Sequence, residues 1–406
     1  MEKIKKEEAR IIAELKNFYI VINTPAGQEY DAMTKGKIID EKGVHRTGWI
    51  PLMTLMRDSE WKRIDEPYRK IFPIENRTAV DGVLGFAVGD ALGVPVEFMS
   101  REDVRKVNIT EMIGKETPKD FHSWWGDLIP AGAWSDDTSM LIAGMDSLSD
   151  NKAQANYDDI MKRFINWWNK GAYTSLDTPF GLGGCVAKAL ENYLHGVPAL
   201  DAGADKVEEN GNGSLMRIFP FALYCIENDL SEAETCKYIS DASRITHAHE
   251  ISRMSCFIYT EFLRNLIETK NPEMAYGITA GIRYLDYFKS DTVSAHGQLL
   301  RPSFTEITDD KIKASGYVVD TLESVIYSII HSNSYEEAVL TAINMGYDTD
   351  TVAGITGSIA GMLYGKDDIP ERWLDKLRKK DYLESLALKF EKTLQENKVE
   401  KYNLEI

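Results

Sequence analysis

Acidic side chains occur in three short motifs, each beside a predicted helix end. WSDDTSM contains Asp136 and Asp137, and GYDTDT contains Asp348 and Asp350. In GDALGVPVEF, Glu97 follows directly after an apolar, helix-like stretch. Acids at such positions commonly cap helices. Adjacent or alternating aspartates exceed what a single cap needs, so the pattern indicates a second role.

That second role is metal binding. Clustered carboxylates near a protein core repel one another strongly, and a cation compensates for this repulsion. Oxygen ligands suit Mg²⁺, Mn²⁺ or Ca²⁺, whereas zinc prefers histidine and cysteine. Two divalent cations would nearly neutralise the five acids. The predicted oxygen donors are Glu97, Asp136, Asp137, Asp348, Asp350, Ser135, Thr138 and Thr351.

Two further segments could contact a substrate. ENGNGSLMRIFP (209–220) is rich in Gly and Asn and is predicted to open a helix, whose N–H groups could receive a phosphate. Met216 and Phe219 could then contact a base or ribose. In ITHAHEIS (245–252), His247 and His249 alternate and would diverge on a helix, so they do not by themselves indicate zinc. A plain Asn-Gly turn and a structural histidine remain the alternatives.

Helices must position these motifs. From about residue 78 to the C-terminal end of the sequence, apolar residues recur at three- and four-residue spacing, which predicts an all-α body over residues 76–406. Small residues recur every four positions in two of these helices, which predicts a close helix–helix approach in a compact bundle. The two rows are Gly85, Gly89 and Gly93, and Ala353, Gly357 and Gly361.

Residues 1–75 differ from the rest in charge. They hold 14 Lys and Arg against 13 Asp and Glu, whereas the remainder has a net charge of −18. We predict a small α+β appendage, with a short helix over 2–17 and a β-rich segment over 18–24. It could serve as a structural cap on the body, or as an arm that docks a specific protein partner.

The composition excludes several classes of protein. The chain has 406 residues, of which 43% are hydrophobic and 27% charged, as in globular proteins. A net charge of −17 argues against nucleic-acid binding. We find no apolar run approaching the ~20 residues of a membrane span, and no secretory signal. Four cysteines without a CxxC pair favour a reduced, cytoplasmic setting.

Together, the motifs resemble those of the ADP-ribosylglycohydrolase family, all-α hydrolases that remove ADP-ribose from modified proteins. GDALGVPVEF, WSDDTSM, GNGSLMR, THAH and GYDTDT occur in the family's order over roughly residues 78–365. Each motif is weak by itself, and five in order are specific.

The resemblance implies residue roles. Two Mg²⁺ ions (or Mn²⁺) would be held by Ser135, Asp136, Asp137, Asp348, Asp350 and Thr351. Glu97 matches an acid on a mobile loop near the ions, and either Glu97 or Asp137 could orient the attacking water as a base. The segments lining the ADP-ribose cleft would contribute Asn212, Gly213, Ser214, Met216 and His247.

The resemblance also implies a substrate: ADP-ribose linked to a protein side chain, most consistently arginine. The SDDT form of the first acidic motif is closer to arginine-directed members. Several of those members carry an acid in an F-D-(I/M)-G segment, where PFGLGG here has Gly181. Serine or O-acyl linkages, an inactive ADP-ribose-binding protein, and an unrelated metal-dependent phosphate-ester hydrolase therefore stay open.

Overall fold

This computed structural model describes residues 10–15, 18–23, 37–39, 45–47 and 78–404, with side chains from 78 to 398. The predicted partner-docking role of residues 1–75 lies mostly outside these ranges and stays a prediction.

Four short strands form two antiparallel pairs near the N-terminus. Strand β1 (Arg10–Leu15) pairs with β2 (Phe18–Asn23), and β3 (Lys37–Ile39) pairs with β4 (His45–Thr47). The predicted β character of 18–24 is confirmed. The predicted helix over 2–17 is wrong over 10–15, where RIIAEL pairs in register with FYIVIN. Isoleucines in both segments favour strand pairing over a helix.

The rest of the described chain is helical, as predicted. The helices are α1 (Ala79–Gly93), α2 (Arg101–Val107), α3 (Asp136–Asp150), α4 (Tyr157–Lys170), α5 (Gly184–Leu194), α6 (Phe219–Glu227), α7 (Glu232–Arg244), α8 (Glu250–Thr269), α9 (Pro272–Ala280), α10 (Ser290–Ala295), α11 (Val318–Ile330), α12 (Tyr335–Ile343), α13 (Thr349–Tyr364), α14 (Glu371–Leu374) and α15 (Lys380–Leu404).

Helices α1 and α13 form the centre of this body and pack antiparallel. The predicted close approach is confirmed, because a Cβ on Gly85 would overlap the Gly357 carbonyl and a Cβ on Gly357 would overlap the Gly85 carbonyl. Gly93 at the end of α1 likewise faces the backbone of Thr349 at the start of α13. Side chains larger than hydrogen at these contacts would force the helices apart.

The apolar character of α1 comes from its burial. Residues 79–96 are long and apolar enough to cross a membrane, so the sequence-based statement that no run approaches that length is wrong. Every residue of this segment is buried among neighbouring helices. The core helix of a globular body has this same composition, so the segment is weak evidence for a membrane span.

Two local predictions are corrected. The GNGS segment does not open a helix, because residues 213–217 form turns and α6 begins only at Phe219, with Pro220 in its first turn. The motif SYEEAVLTAINMG also predicts a capping box between Ser334 and Glu337 at the start of α12. Ser334 does accept from the Glu337 N–H at 3.1 Å, but the Glu337 carboxylate accepts from the Asn333 N–H and does not complete the box.

Candidate metal centre

The antiparallel packing of α1 and α13 places the first and third acidic motifs together. Because Gly93 faces Thr349, the chain leaving α1 arrives beside the chain entering α13. The Thr349 hydroxyl donates to the Gly93 carbonyl at 2.8 Å and locks this junction. Carboxylate oxygens of Glu97, Asp348 and Asp350 consequently lie within 4.8 Å of one another.

The second acidic motif begins α3, and a buried aspartate of α1 holds it in place. Both Asp90 oxygens accept from the Ser135 N–H, at 3.0 and 3.1 Å. The Thr138 N–H and hydroxyl also donate to Asp90, at 3.1 and 2.6 Å. The Thr138 hydroxyl thus donates to Asp90, and its predicted role as an oxygen donor to a metal stays a prediction. Sequence analysis missed this positioning residue, whose only signal is an acid within an apolar helix.

Asp137 faces the other acids from the first turn of α3. It is 3% exposed, and its Oδ2 accepts from the Ser135 hydroxyl at 3.1 Å. The Thr351 hydroxyl lies close enough to lower the pKa values of both Asp137 and Asp348. Asp137 Oδ1 is buried without any hydrogen-bond partner among the described residues. An orphaned carboxylate oxygen inside a protein is costly unless a cation meets it.

Burial and mutual repulsion act together on these carboxyls. Desolvation is the largest cause raising the pKa values of Glu97, Asp136, Asp137 and Asp350 well above their usual range. The negative charges of neighbouring carboxylates are the next cause for each of them. Burial also raises the pKa of Asp348, while the Asn212 amide opposes that rise. A divalent cation would remove both the desolvation and the repulsion cost.

Asp136 lies at the edge of the cluster, against a glycine. Its side chain is buried, and a Cβ on Gly181 would overlap Asp136 Oδ1. Gly181 has φ of +89°, a region that favours glycine. The position at which several arginine-directed relatives carry an acid therefore lies in contact with a predicted metal ligand.

Two aromatic residues, Trp125 and Phe180, form an aromatic wall beside Gly181. The rings of Trp125 and Phe180 are 5.1 Å apart, and Phe180 precedes Gly181. The Trp125 indole N–H makes no well-formed hydrogen bond, yet it lies close enough to Glu97 to oppose the rise of that pKa. Sequence analysis missed this wall, since aromatic residues in a loop carry no spacing signal.

Of the predicted cleft residues, Asn212 contacts the acidic cluster directly. Its amide donates to Asp348 Oδ2 at 2.7 Å and to the Thr321 hydroxyl at 2.9 Å. Asn212 also donates its backbone N–H to the Gly316 carbonyl at 3.1 Å. The Asn-rich turn is thus tied to the third acidic motif, which the separation of 136 residues hides in the sequence.

Gly213 lies against the His247 imidazole. A Cβ at residue 213 would come within 2.9 Å of His247 Cε1, so a side chain there would displace the ring. Burial and the nearby Arg217 charge lower the pKa of His247 to about 3, so this histidine is neutral at physiological pH. Its Nδ1 is 3.0 Å from the Thr246 hydroxyl. His249 lies outside this contact and caps α8 through Ile251.

The remaining predicted cleft residues are in the core. Ser214 has no exposed surface and accepts from the Ser243 hydroxyl at 2.9 Å. Met216 and Phe219 are 3% and 1% exposed, and both belong to the hydrophobic core. The expected contacts of Ser214 and Met216 with a substrate stay predictions, and the structure supplies no open surface for either side chain.

The residues present fit a divalent-cation site. All the donors are oxygens, three carboxylates converge within 4.8 Å, and a fourth presents a buried oxygen without a partner. This donor set suits a hard cation such as Mg²⁺ or Mn²⁺. No cysteine or histidine joins the cluster formed by Glu97, Asp348 and Asp350 within the described part of the chain.

The order of the five motifs and the all-α body are together typical of one family of glycohydrolases. A family model described as ADP-ribosylglycohydrolase matches residues 74–400, and the chain belongs to this family of enzymes. It is 30% identical to ADP-ribosylarginine hydrolase Tri1 of Serratia proteamaculans, over 76% of this chain and 77% of that protein. It is 27% identical to ADP-ribosyl-[dinitrogen reductase] glycohydrolase of Rhodospirillum rubrum, over 75% of this chain and 92% of that protein.

A solved structure supports the same assignment. A chain described as an ADP-ribosylglycohydrolase-related protein complex aligns with a TM-score of 0.64 and 26% identity. The alignment covers 80% of this chain and all of that one. The resemblance inferred from the five motifs is therefore confirmed, as is the all-α fold class.

Proposed function

We propose that the protein hydrolyses the N-glycosidic bond between ADP-ribose and an arginine side chain of a modified protein, and that it requires two divalent cations to do so. The observation that carries the proposal is the convergence of Glu97, Asp348 and Asp350 beside the unpartnered Asp137 Oδ1. Two relatives named ADP-ribosylarginine hydrolase, 30% and 26% identical, support arginine as the linkage.

Four acidic and two hydroxyl side chains are assigned to the cations. Bound Mg²⁺ would neutralise the carboxylates, hold ribose hydroxyls and lower the pKa of a coordinated water. The proposed ligands, which the resemblance implies, are Ser135, Asp136, Asp137, Asp348, Asp350 and Thr351. Of these, Asp348 and Asp350 belong to the three-carboxylate group, and Asp137 presents the unpartnered oxygen.

The protein's own groups would divide the remaining work. Cleavage at the ribose C1″ develops positive charge on the sugar, which neighbouring carboxylates stabilise. Glu97 lies on a segment that leads directly to the surface, since the next residue, Phe98, is 66% exposed. Glu97 and Asp137 are the candidates for accepting the proton of the attacking water.

The ADP-ribose would lie on the side of the cluster formed by Asn212, Gly213 and His247. Asn212 contacts Asp348, and Gly213 contacts a histidine whose pKa of about 3 keeps it neutral. A neutral imidazole can donate or accept one hydrogen bond without repelling the cations. The backbone N–H of Asn212 is already bonded to the Gly316 carbonyl, so Gly213 would supply the backbone donor for a phosphate oxygen.

Gly181 favours a second candidate linkage. Its position touches Asp136, and the side chain that several arginine-directed relatives carry there is missing. An enzyme acting on ADP-ribosylserine or an O-acyl linkage would share the metal centre and differ in its leaving group. Release of ADP-ribose from proteins modified on arginine and on serine, each with and without Mg²⁺, separates the two linkages. Efficient release from serine with none from arginine would contradict the proposal.

A further inference from the structure

Two exposed aromatic residues flank the metal centre in an uncommon backbone conformation. Phe98 follows Glu97 and has φ of +68°, and Tyr347 precedes Asp348 and has φ of +62°. Their exposed fractions are 66% and 51%. Bulky side chains rarely adopt positive φ, and a ring that stays exposed to solvent contributes little hydrophobic stabilisation to the fold. Neither ring is therefore placed there by folding stability alone.

Backbone hydrogen bonds join the two aromatic segments to each other. The Phe98 N–H donates to the Tyr347 carbonyl at 2.6 Å, and the Tyr347 N–H donates to the Met99 carbonyl at 2.7 Å. These bonds fix both rings to the same rim of the cluster. A shift of either segment would also move Glu97 or Asp348, so the rings and the acids form one unit.

Tyr173 shows the contrasting case. It also has positive φ, at +58°, but its hydroxyl accepts from Arg163 and donates to Asp146, both at 2.7 Å. Its strain is offset by these two hydrogen bonds, neither of which involves Glu97, Asp348 or Asp350. Among the described residues, the Tyr347 hydroxyl has no comparable hydrogen bond, and Phe98 has no polar side-chain atom.

The space beyond Tyr347 is open, and the two arginines that border it are already bonded to other groups. Tyr347 borders a surface groove of about 640 Å³ together with Arg101 and Arg105. Arg101 donates to the carbonyls of Met345, Asp309 and Ile312, and Arg105 pairs with the Asp309 carboxylate. The polypeptide of a modified substrate could extend from Tyr347 along this groove without contacting an unpaired arginine.

We propose that Phe98 and Tyr347 form the subsite for the leaving group, with the guanidinium of the modified arginine stacked between the rings. The proposal rests on the function proposed above and specifies its acceptor side. A guanidinium attached to ribose keeps its positive charge and its planar face, and the faces of aromatic rings attract such a cation. The ADP-ribose is assigned to the side of Asp348 that the Asn212 amide contacts.

The test uses the full chain with Mg²⁺ and peptides ADP-ribosylated on arginine or on serine. Tyr347→Gly removes the ring and relieves the positive φ. It should lower kcat/KM for the arginine peptide about tenfold, chiefly through KM. Tyr347→Phe should retain the wild-type value, because it retains the ring. Affinity for free ADP-ribose, measured by calorimetry, should be unchanged in both variants.

Leu285→Ala is the matched control, since Leu285 is also 66% exposed but is not part of the metal centre. Phe98→Gly should also lower kcat/KM for the arginine peptide, as Tyr347→Gly does. If the wild-type enzyme releases ADP-ribose from arginine while Tyr347→Gly is equally active, the subsite is wrong and the proposed function stands. If the wild-type enzyme does not act on arginine, both are wrong. An equal loss of ADP-ribose affinity in Tyr347→Gly would also overturn the subsite.

Discussion

Asp90 and Thr138 are joined by two hydrogen bonds, from the Thr138 N–H at 3.1 Å and from its hydroxyl at 2.6 Å. Burial raises the pKa of Asp90 to about 6, and these bonds oppose the rise. The pair fixes the start of α3 against α1. It thereby sets the direction of Asp136 and Asp137, although Asp90 is not itself among the predicted metal ligands.

Asp90→Asn should therefore loosen the attachment of α3, and with it Asp136 and Asp137, to α1. At the position of Oδ1 the new NH₂ group would face the Ser135 N–H, and at the position of Oδ2 it would face the N–H groups of both Ser135 and Thr138. In either orientation a buried hydrogen bond is replaced by opposed donors. We expect a loss of about 1–3 kcal/mol in the free energy of unfolding, measured with urea. Asp103→Asn, at an exposed position of α2, should lower the free energy of unfolding by less. Equal losses in both variants would refute this role of Asp90.

Asp350→Asn should have opposite effects on stability and on cation binding. Removing one buried negative charge relieves repulsion from Glu97 and Asp137, so the thermal midpoint in EDTA should rise by a few degrees. The stabilisation by added Mg²⁺ and the catalytic turnover should both be lost. Asp120→Asn, at an exposed site, serves as the control. A variant that keeps the wild-type Mg²⁺ response would exclude Asp350 as a ligand.

Gly181→Ala tests the contact between Gly181 and Asp136. The added Cβ would overlap Asp136 Oδ1, and φ of +89° is strained for alanine. We expect at least about tenfold weaker Mg²⁺ activation and a loss of about 1 kcal/mol or more in stability. Gly183→Ala is the matched control, because a Cβ added at Gly183 would meet no atom within 4 Å. Comparable effects of the two substitutions would contradict the contact.

The buried carboxyl of Glu323, which is not part of the acidic cluster, should make the stability of the protein depend on pH. Burial raises its pKa to about 7, Asp320 adds to the rise, and the Gln298 amide and Lys313 oppose it. The folded state therefore holds this proton more tightly than the unfolded chain. The resulting stability is complete below about pH 4.5 and is lost as the pH rises through about 7.

Glu323→Gln should remove this part of the pH dependence. The wild-type protein should lose about 1–3 kcal/mol more than the variant between about pH 5 and about pH 8.5, measured by urea unfolding. The bond between Gln298 and residue 323, 2.7 Å in the wild-type protein, can be kept by a glutamine. Parallel pH profiles for the two proteins would show that Glu323 does not titrate in this range.

The helices and the acidic motifs could be predicted from the sequence, because both have local sequence patterns. Apolar spacing predicted helices from about residue 78, and the small-residue rows predicted a close helix–helix approach, which the structure places between α1 and α13. The hairpin of β1 was missed, since its charged residues also suit a helix. The contact of Asn212 with Asp348 and the rim formed by Phe98 and Tyr347 depend on tertiary packing, which no local pattern encodes.

The central claim is cation-dependent release of ADP-ribose from arginine, and one assay tests it most directly. The purified full chain is incubated with a protein mono-ADP-ribosylated on arginine, in EDTA and then with Mg²⁺ restored, and free ADP-ribose is quantified. The account predicts no release in EDTA, recovery with Mg²⁺, and no recovery for Asp350→Asn. Undiminished release after exhaustive chelation, or no release from arginine under either condition, would contradict it.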